Sequence, residues 1–327
     1  MSRVAVTFEP TPEMRSAIDE TLSGLAAVTY VAAMTGERRR EAIVSADAIL
    51  SWGIGVELTR DELRGLPAVR LIQLISAGVN HVPFDDLSPS IGIAANAGGW
   101  ADAVAEYVLA MTLALARRLL QNHTDLARGQ LNRRTPGREL RGAVVGIVGY
   151  GGIGRASARL FGAFGAPIHA IGRTPPTDES LEWSASLDKL DELLATADII
   201  VLALPLTKAT RGLIGRRELA RTKGDAILVN VARAEIIDED ALYQHLLTTP
   251  SFSAGLDVWW REGGRAAFNP RHPYLSLPNL IGSPHVSANT VRSPANAARH
   301  AAENLARFLR GDAVAHLIDR SEYADEQ

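Results

Sequence analysis

The passage from Val144 to Gly154 narrows what this chain can become more than any other. Val144-Val145-Gly146-Ile147-Val148 is an apolar run of strand composition. It passes directly into Gly149-Tyr150-Gly151-Gly152-Ile153-Gly154 and then into an Ala-rich amphipathic segment. In G-x-G-x-x-G the first glycine permits the tight turn out of the strand. The second lets a pyrophosphate approach the backbone, and the third lets helix pack on strand. The helix N-terminus then offers N–H groups and the positive end of its dipole to phosphates. The bare pattern arises easily in a chain with 28 glycines, and its place between strand and helix gives it weight. Gly149, Gly151, Gly152, Ile153 and Gly154 are the dinucleotide-binding set read from it.

Strands and helices alternate on both sides of this run. Before it, Val4–Phe8, Val28–Val31, Asp47–Ser51 and Val69–Ile75 read as strands. Met14–Leu22, with Thr11 as N-cap and Pro12 in the first turn, Arg38–Val44, and Thr59–Leu66, with a Thr-x-x-Glu capping box, read as helices. From Val144 onward the strands are Val144–Val148, Ile168–Ile171, Ile199–Leu204, Ala226–Val231, Ser253–Asp257 and Leu280–Ile281. The helices are Ile153–Phe164, Leu187–Leu194, Arg216–Arg221 and Glu239–Leu247. Such alternation gives parallel sheets covered on both faces. Asp102–Leu120, rich in Ala, Leu and Val, reads as one long buried helix linking the two runs. Polar, Arg-rich Gln121–Arg141 reads as a loop or arm, and Ala295–Arg310 as a last helix closed by Gly311.

The strand after the glycine turn bears on the choice of cofactor. A ribose-binding acid belongs about 20 residues on, at that strand's carboxyl end. Here the end reads Ala170-Ile171-Gly172-Arg173-Thr174, with no carboxylate. An acid would repel a 2′-phosphate, whereas the always-charged fork of Arg173 would pair with it and Thr174 would add a hydroxyl. The expectation is NADP(H) in preference to NAD(H).

Composition excludes other classes. The 327 residues suggest about two domains. Lys+Arg total 34 against Asp+Glu 37, so a strongly basic nucleic-acid binder is ruled out. With no cysteine, disulfides, thiolate zinc sites and a Cys nucleophile are excluded. No apolar run approaches the roughly 20 residues of a membrane span. The first residues read as a strand and not a signal peptide, so a soluble, cytoplasmic protein is expected.

Three residues late in the chain follow strands and would meet where such sheets bind ligands, outside the carboxyl ends of the strands. They are Arg233 after Asn230-Val231-Ala232, Glu262 after Asp257-Val258-Trp259-Trp260-Arg261, and His285 after Ser283-Pro284. Ser283 and Ser287 flank His285, but no strand–G-x-S-x-G–helix elbow is present. His81 with Asp85 and Asp86 is the nearest approach to a metal-ligand set and lacks the spacing of a site, so no metal is expected. The remaining histidines read as structural. Trp52, Trp259 and Trp260 read as either the walls of an apolar substrate pocket or core packing.

These motifs, in this order, resemble the D-isomer-specific 2-hydroxyacid dehydrogenases. The resemblance runs from Ser76-Ala77-Gly78-Val79 through Asn96, Val104-Ala105-Glu106, Glu139-Leu140-Arg141-Gly142, Gly149–Gly154 and Leu204-Pro205-Leu206-Thr207 with Thr210. It continues through Asn230-Val231-Ala232-Arg233, Leu256-Asp257-Val258 and Pro284-His285 to the C-terminal helix. It implies an α/β fold in which a Rossmann dinucleotide-binding domain, 101–288, is inserted into a discontinuous flavodoxin-like substrate domain, 1–100 and 289–327. It also implies a homodimer and places Asp102–Leu120 beside the cleft.

The resemblance further implies roles. Arg233 would hold the carboxylate and 2-oxo oxygen of a small 2-oxo or 2-hydroxy acid. His285 would be the general acid in reduction and base in oxidation, with Glu262 orienting it. Ser76, Ala77 and Gly78 would cradle the carboxylate. Pro205, Thr210, Val231 and Asp257 would line the cofactor's path, Asp257 at its nicotinamide end. The activity implied is reduction of a 2-oxo acid of the glyoxylate or hydroxypyruvate type. Two other readings stay open: a nucleotide-sensing binding protein like the family's co-repressor branch, and a member using another hydride donor such as phosphite. The chain departs from many members at Gly263-Gly264, where Pro follows the acid and which implies a more mobile loop, and at Ala234 and Ala288, where glycines are usual. Formate-oxidising relatives carry Gln at the acid position, so Glu262 argues against formate.

Overall fold

A computed structural model describes residues 1–262 and 268–323. The stretch at Gly263-Gly264, expected to be a more mobile loop, lies outside the described residues. The chain divides into two compact units, residues 1–100 with 289–327 and residues 101–288.

In the first unit five parallel strands, β1 (Ser2–Val6), β2 (Ala26–Tyr30), β3 (Ala48–Ser51), β4 (Leu71–Leu74) and β5 (Gly92–Ala94), lie in the order β2-β1-β3-β4-β5. This is the flavodoxin-like order. Every residue of β3 and β4 is buried, as expected of strands covered on both faces. One cover is the helix Pro12–Leu22, where Thr11 accepts from the Met14 amide at 3.3 Å. Against it packs the C-terminal helix Ser293–Arg310, whose buried Ala297, Ala298, Ala301, Ala302, Leu305 and Ala306 recur at helical spacing. Small alanines let the two helices approach closely. Gly311, at φ 81°, ends the second helix.

The chain beyond that helix returns to the sheet edge. Ala94 and Leu317 form an antiparallel bridge, and the Ile318 amide donates to the Ile93 carbonyl at 2.8 Å. The Asn304 side chain donates to the buried Gln73 side chain at 2.7 Å and to the Ala315 carbonyl at 2.9 Å.

In the second unit seven parallel strands follow: β6 (Val145–Val148), β7 (Ile168–Gly172), β8 (Trp183–Ser186), β9 (Ile199–Leu202), β10 (Ile227–Asn230), β11 (Ser253–Leu256) and β12 (Leu280–Gly282). Their order is β12-β11-β10-β9-β6-β7-β8. The order reverses at β6, so the glycine turn sits at the topological switch point of a Rossmann sheet.

The long linking helix and the polar stretch after it differ from the sequence reading. Asp102–Leu120 is not one helix. A helix spans Ala101–Ala116 and buries Val104, Ala105, Val108 and Met111. The chain then breaks at Arg118, which takes a left-handed backbone (φ 52°), and a second helix runs Leu119–Ala127. The polar stretch from Gln121 is therefore helical through Ala127. That second helix buries no residue, and Leu119, Leu120 and Leu126 stay more than half exposed. Among the described residues, no helix is long and apolar enough to cross a membrane.

Candidate active site

The glycine turn separates the demands of the fold from those of a ligand. Gly149 has φ 99°, and a Cβ there would lie 2.5 Å from the Ala203 carbonyl oxygen. A Cβ on Gly154 would lie 2.2 Å from the Gly149 oxygen. The chain's own packing thus requires both. Nothing lies within 4 Å of the position of a Gly151 Cβ. Gly151 caps the helix Gly152–Ala163, whose first turn carries no acid and receives no side-chain cap. Its amides face an open cradle, which fits the pyrophosphate of a dinucleotide. Ile153 is partly buried beside it.

Other residues of the set lie around this turn. Arg173 and Thr174 are exposed immediately beyond β7. The carboxylate next along the chain, Asp178, accepts from the Tyr150 hydroxyl at 2.8 Å and from both the amide and hydroxyl of Ser180. Burial and this bond push the Tyr150 phenol up to about 12. Pro205 is exposed past β9, and the Thr210 hydroxyl donates to its carbonyl at 2.7 Å while accepting the Thr207 amide at 2.8 Å. Thr210 shapes that loop from within.

The neighbouring strands β10, β11 and β12 bring the reactive types to one sheet edge. Beyond β10, Val231 is buried, Asn230 accepts the Ala232 amide at 3.0 Å and donates to the Arg233 carbonyl at 2.9 Å, and Arg233 Nη1 donates to the Ala232 carbonyl at 2.7 Å. Beyond β12, His285 sits in a left-handed backbone (φ 54°), and its Nδ1 donates to Glu262 Oε2 at 2.8 Å. Non-glycine residues rarely take that conformation, and they concentrate at functional sites. Burial acts to raise the Glu262 carboxyl. The hydrogen bonds from His285 and the Trp259 amide, with the charges of His285 and Arg233, outweigh it and hold the carboxyl below its ordinary range. An ionised partner on Nδ1 leaves the other ring nitrogen, Nε2, for proton transfer.

Asp257, expected at the nicotinamide end of the cofactor, is wholly buried. Its carboxylate accepts the Ser283 hydroxyl at 2.6 Å and the Val286 and Ser287 amides at 2.9 Å each. In this arrangement it holds the turn that carries His285. Ser283 and Asn230 are the positioning residues whose roles were missed. Both stand in the quoted motifs, but only their partners reveal what they do.

Ser76, Ala77 and Gly78 belong to the first unit, in the turn after β4, where the Ser76 hydroxyl donates to the Gly78 carbonyl at 2.9 Å. In that unit Trp52 is 40% exposed and packs between Phe8 and Trp100. Trp259 and Trp260 pack with the core of the second unit. Among the described residues no group of His, Asp or Glu is arranged to hold a metal ion. Asp86, considered above with His81, instead pairs with Arg60 and Arg64.

Residues 109–287 match the family described as D-isomer specific 2-hydroxyacid dehydrogenase, NAD binding domain. The chain is 34% identical to a glyoxylate reductase of Aeropyrum pernix, over 80% of this chain and 79% of that one. It is 32% identical to a D-3-phosphoglycerate dehydrogenase of Methanocaldococcus jannaschii over 92% of this chain, and spans only 57% of that longer protein. A D-isomer specific 2-hydroxyacid dehydrogenase of Xanthobacter autotrophicus Py2, solved with NADPH and MES, superposes with a TM-score of 0.81 at 25% identity. That alignment covers 97% of this chain and 98% of the other.

Proposed function

The chain belongs to the D-isomer-specific 2-hydroxyacid dehydrogenases, and from that membership we propose that it is an NADP(H)-dependent reductase of small 2-oxo acids, of the glyoxylate or hydroxypyruvate type. The observation that carries the reading is the 2.8 Å His285–Glu262 pair, standing with Arg233 at the carboxyl edge of a sheet whose glycine turn fits a dinucleotide. When bound, the nicotinamide supplies the hydride.

The chain's own residues do the rest. The Arg233 guanidinium binds the substrate carboxylate and polarises the 2-oxo group. His285 gives the proton on Nε2 to the carbonyl oxygen as it gains negative charge, and takes it back in oxidation. Glu262, on Nδ1, fixes the ring's orientation and tautomer. Asp257 keeps the His285 turn in its left-handed conformation. The absence of a carboxylate at 172–174 and the presence of Arg173 support NADP(H). The substrate domain is residues 1–100 with 289–327, the protein works as a homodimer, and its place is the cytoplasm.

The test is oxidation of NADPH and of NADH with glyoxylate, hydroxypyruvate, pyruvate and phenylpyruvate. Turnover with at least one acid, faster with NADPH, is expected. Tight nucleotide binding without turnover of any 2-oxo acid would replace this reading with nucleotide sensing.

A further inference from the structure

Residues 257–262, which lead to Glu262, lie in neither helix nor strand, and the Glu262 side chain is 41% exposed. An exposed carboxylate on irregular backbone samples many rotamers unless its backbone is fixed nearby. The helix Glu239–Thr248 supplies that fixing. Its N-cap Asp238 accepts the Ala241 amide at 2.7 Å, and its first turn carries two acids. Glu239, nearly buried, pairs with Arg261 at 3.8 Å, just before Glu262. Asp240 pairs with Arg271 at 3.0 Å and accepts from His272 Nε2 at 2.6 Å, on the far side of Glu262 in sequence.

An aromatic stack joins the two anchor points. The His272 ring lies flat on Tyr243, 4.3 Å between centroids and 5° between planes. Tyr243 meets Tyr274 edge-on, and Tyr274 lies nearly parallel to Trp260, at 5.6 Å and 14°. Tyr274 is fully buried, and its hydroxyl donates to the Glu239 carbonyl at 2.5 Å. Trp260 Nε1 donates to the Ile237 carbonyl at 2.8 Å, and the preceding Trp259 amide donates to Glu262 Oε1 at 3.1 Å.

We propose that His272 and Asp240 are a positioning pair for Glu262: they fasten the aromatic stack beneath Trp260 to the first turn of the Glu239–Thr248 helix, and so hold the carboxylate against His285. Exposed ion pairs alone are weak anchors. Here the pair secures a stack built on the buried Tyr274, and small displacements of a catalytic group are costly. The charged groups around Asp240 are His272, Arg271 and Arg261. Those facing Glu262 are His285 and Arg233. The inference rests on the proposed roles of Glu262 and His285.

The experiment is a double-mutant cycle on the full chain. His272→Ala and Asp240→Asn are each made alone and in a Glu262→Gln background, and 2-oxo acid reduction is followed across pH. Either single change is expected to lower kcat about tenfold at little changed substrate KM. Each should also move the basic limb of the kcat/KM profile in the same direction as Glu262→Gln does. His272→Gln, which keeps an N–H donor for Asp240, should restore most of kcat. In the Glu262→Gln background His272→Ala should cost nothing more.

An unmoved limb, or an equal loss in both backgrounds, would assign the pair to general stability and overturn the proposal. Asp240→Asn retains the side chain's shape, so it still decides the matter if His272→Ala fails to fold. Intact reduction in Glu262→Gln and His285→Ala would bring down the catalytic reading, and this inference with it. Loss in those two but not in the His272 and Asp240 variants would bring down the inference alone.

Discussion

Asp257 grips the His285 turn through both its backbone and its side chain. Its carbonyl accepts the His285 amide at 2.8 Å, and its carboxylate accepts the next two amides, Val286 and Ser287, at 2.9 Å each. Together these bonds keep a non-glycine residue at φ 54° and aim its ring at Glu262.

Asp257→Asn removes one acceptor oxygen from this buried grip. The Ser287 or Val286 amide is left without a partner, which costs about 1–3 kcal/mol. Denaturant unfolding should register that loss. Steady-state kinetics should show a fall in kcat larger than the change in NADPH Kd.

The Glu262 carboxyl is held below its ordinary range, which fixes the sign of its linkage. Its stabilisation is present above the unfolded value of about 4.3 and disappears as pH falls through the lowered folded value. Glu262→Gln should therefore be less stable than the parent at neutral pH and match it in strong acid. Exposure of the pair keeps that difference small. The effect on reduction is larger, a fall in kcat of about 10- to 100-fold. Calorimetry across pH alongside activity separates the two.

Arg173→Ala should weaken NADPH binding about 10- to 100-fold, the worth of a charge-assisted bond to phosphate, and leave NADH unchanged. Titration of both nucleotides by fluorescence checks this. Equal loss for both would refute the 2′-phosphate role.

The glycines should part company on substitution. Gly154→Ala places a methyl 2.2 Å from the Gly149 oxygen and should destabilise the fold by about 3 kcal/mol. Gly151→Ala meets nothing within 4 Å, so melting should be near-native while nucleotide affinity falls. Thermal melts with and without NADPH distinguish the two behaviours.

His245 Nε2 is buried without a partner among the described residues, and burial lowers the pKa of the ring. The unfolded chain therefore binds a proton that the folded chain resists, and stability falls as pH drops through about 6.5. His245→Phe should lessen the difference in urea midpoint between pH 7.5 and pH 5.5.

The sheet and the glycine turn were legible because fully covered strands read as unbroken apolar runs, and because Gly149 and Gly154 have no substitute. β5 and β8 were not. Gly92-Ile93-Ala94 is too short to show a period, and Trp183-Ser184-Ala185-Ser186 is a half-exposed edge strand. Nothing in Ala116-Arg117-Arg118-Leu119 announces the left-handed break at Arg118, since Arg is a good helix former. At the site, residue types were readable from motifs, but partners were not. Glu262 and His285 meet only because β11 and β12 are neighbours, and the Asp257 grip depends on the same adjacency.

The return of Leu317 and Ile318 to the edge of β5, with the alanine face of Ser293–Arg310 on the Pro12–Leu22 helix, has a consequence for biosynthesis. The opening hundred residues leave the ribosome with their apolar side uncovered. They stay so while the entire Rossmann unit is translated and folds. Residues 293–318 supply the missing wall, so that apolar side is covered only after the second unit has been made.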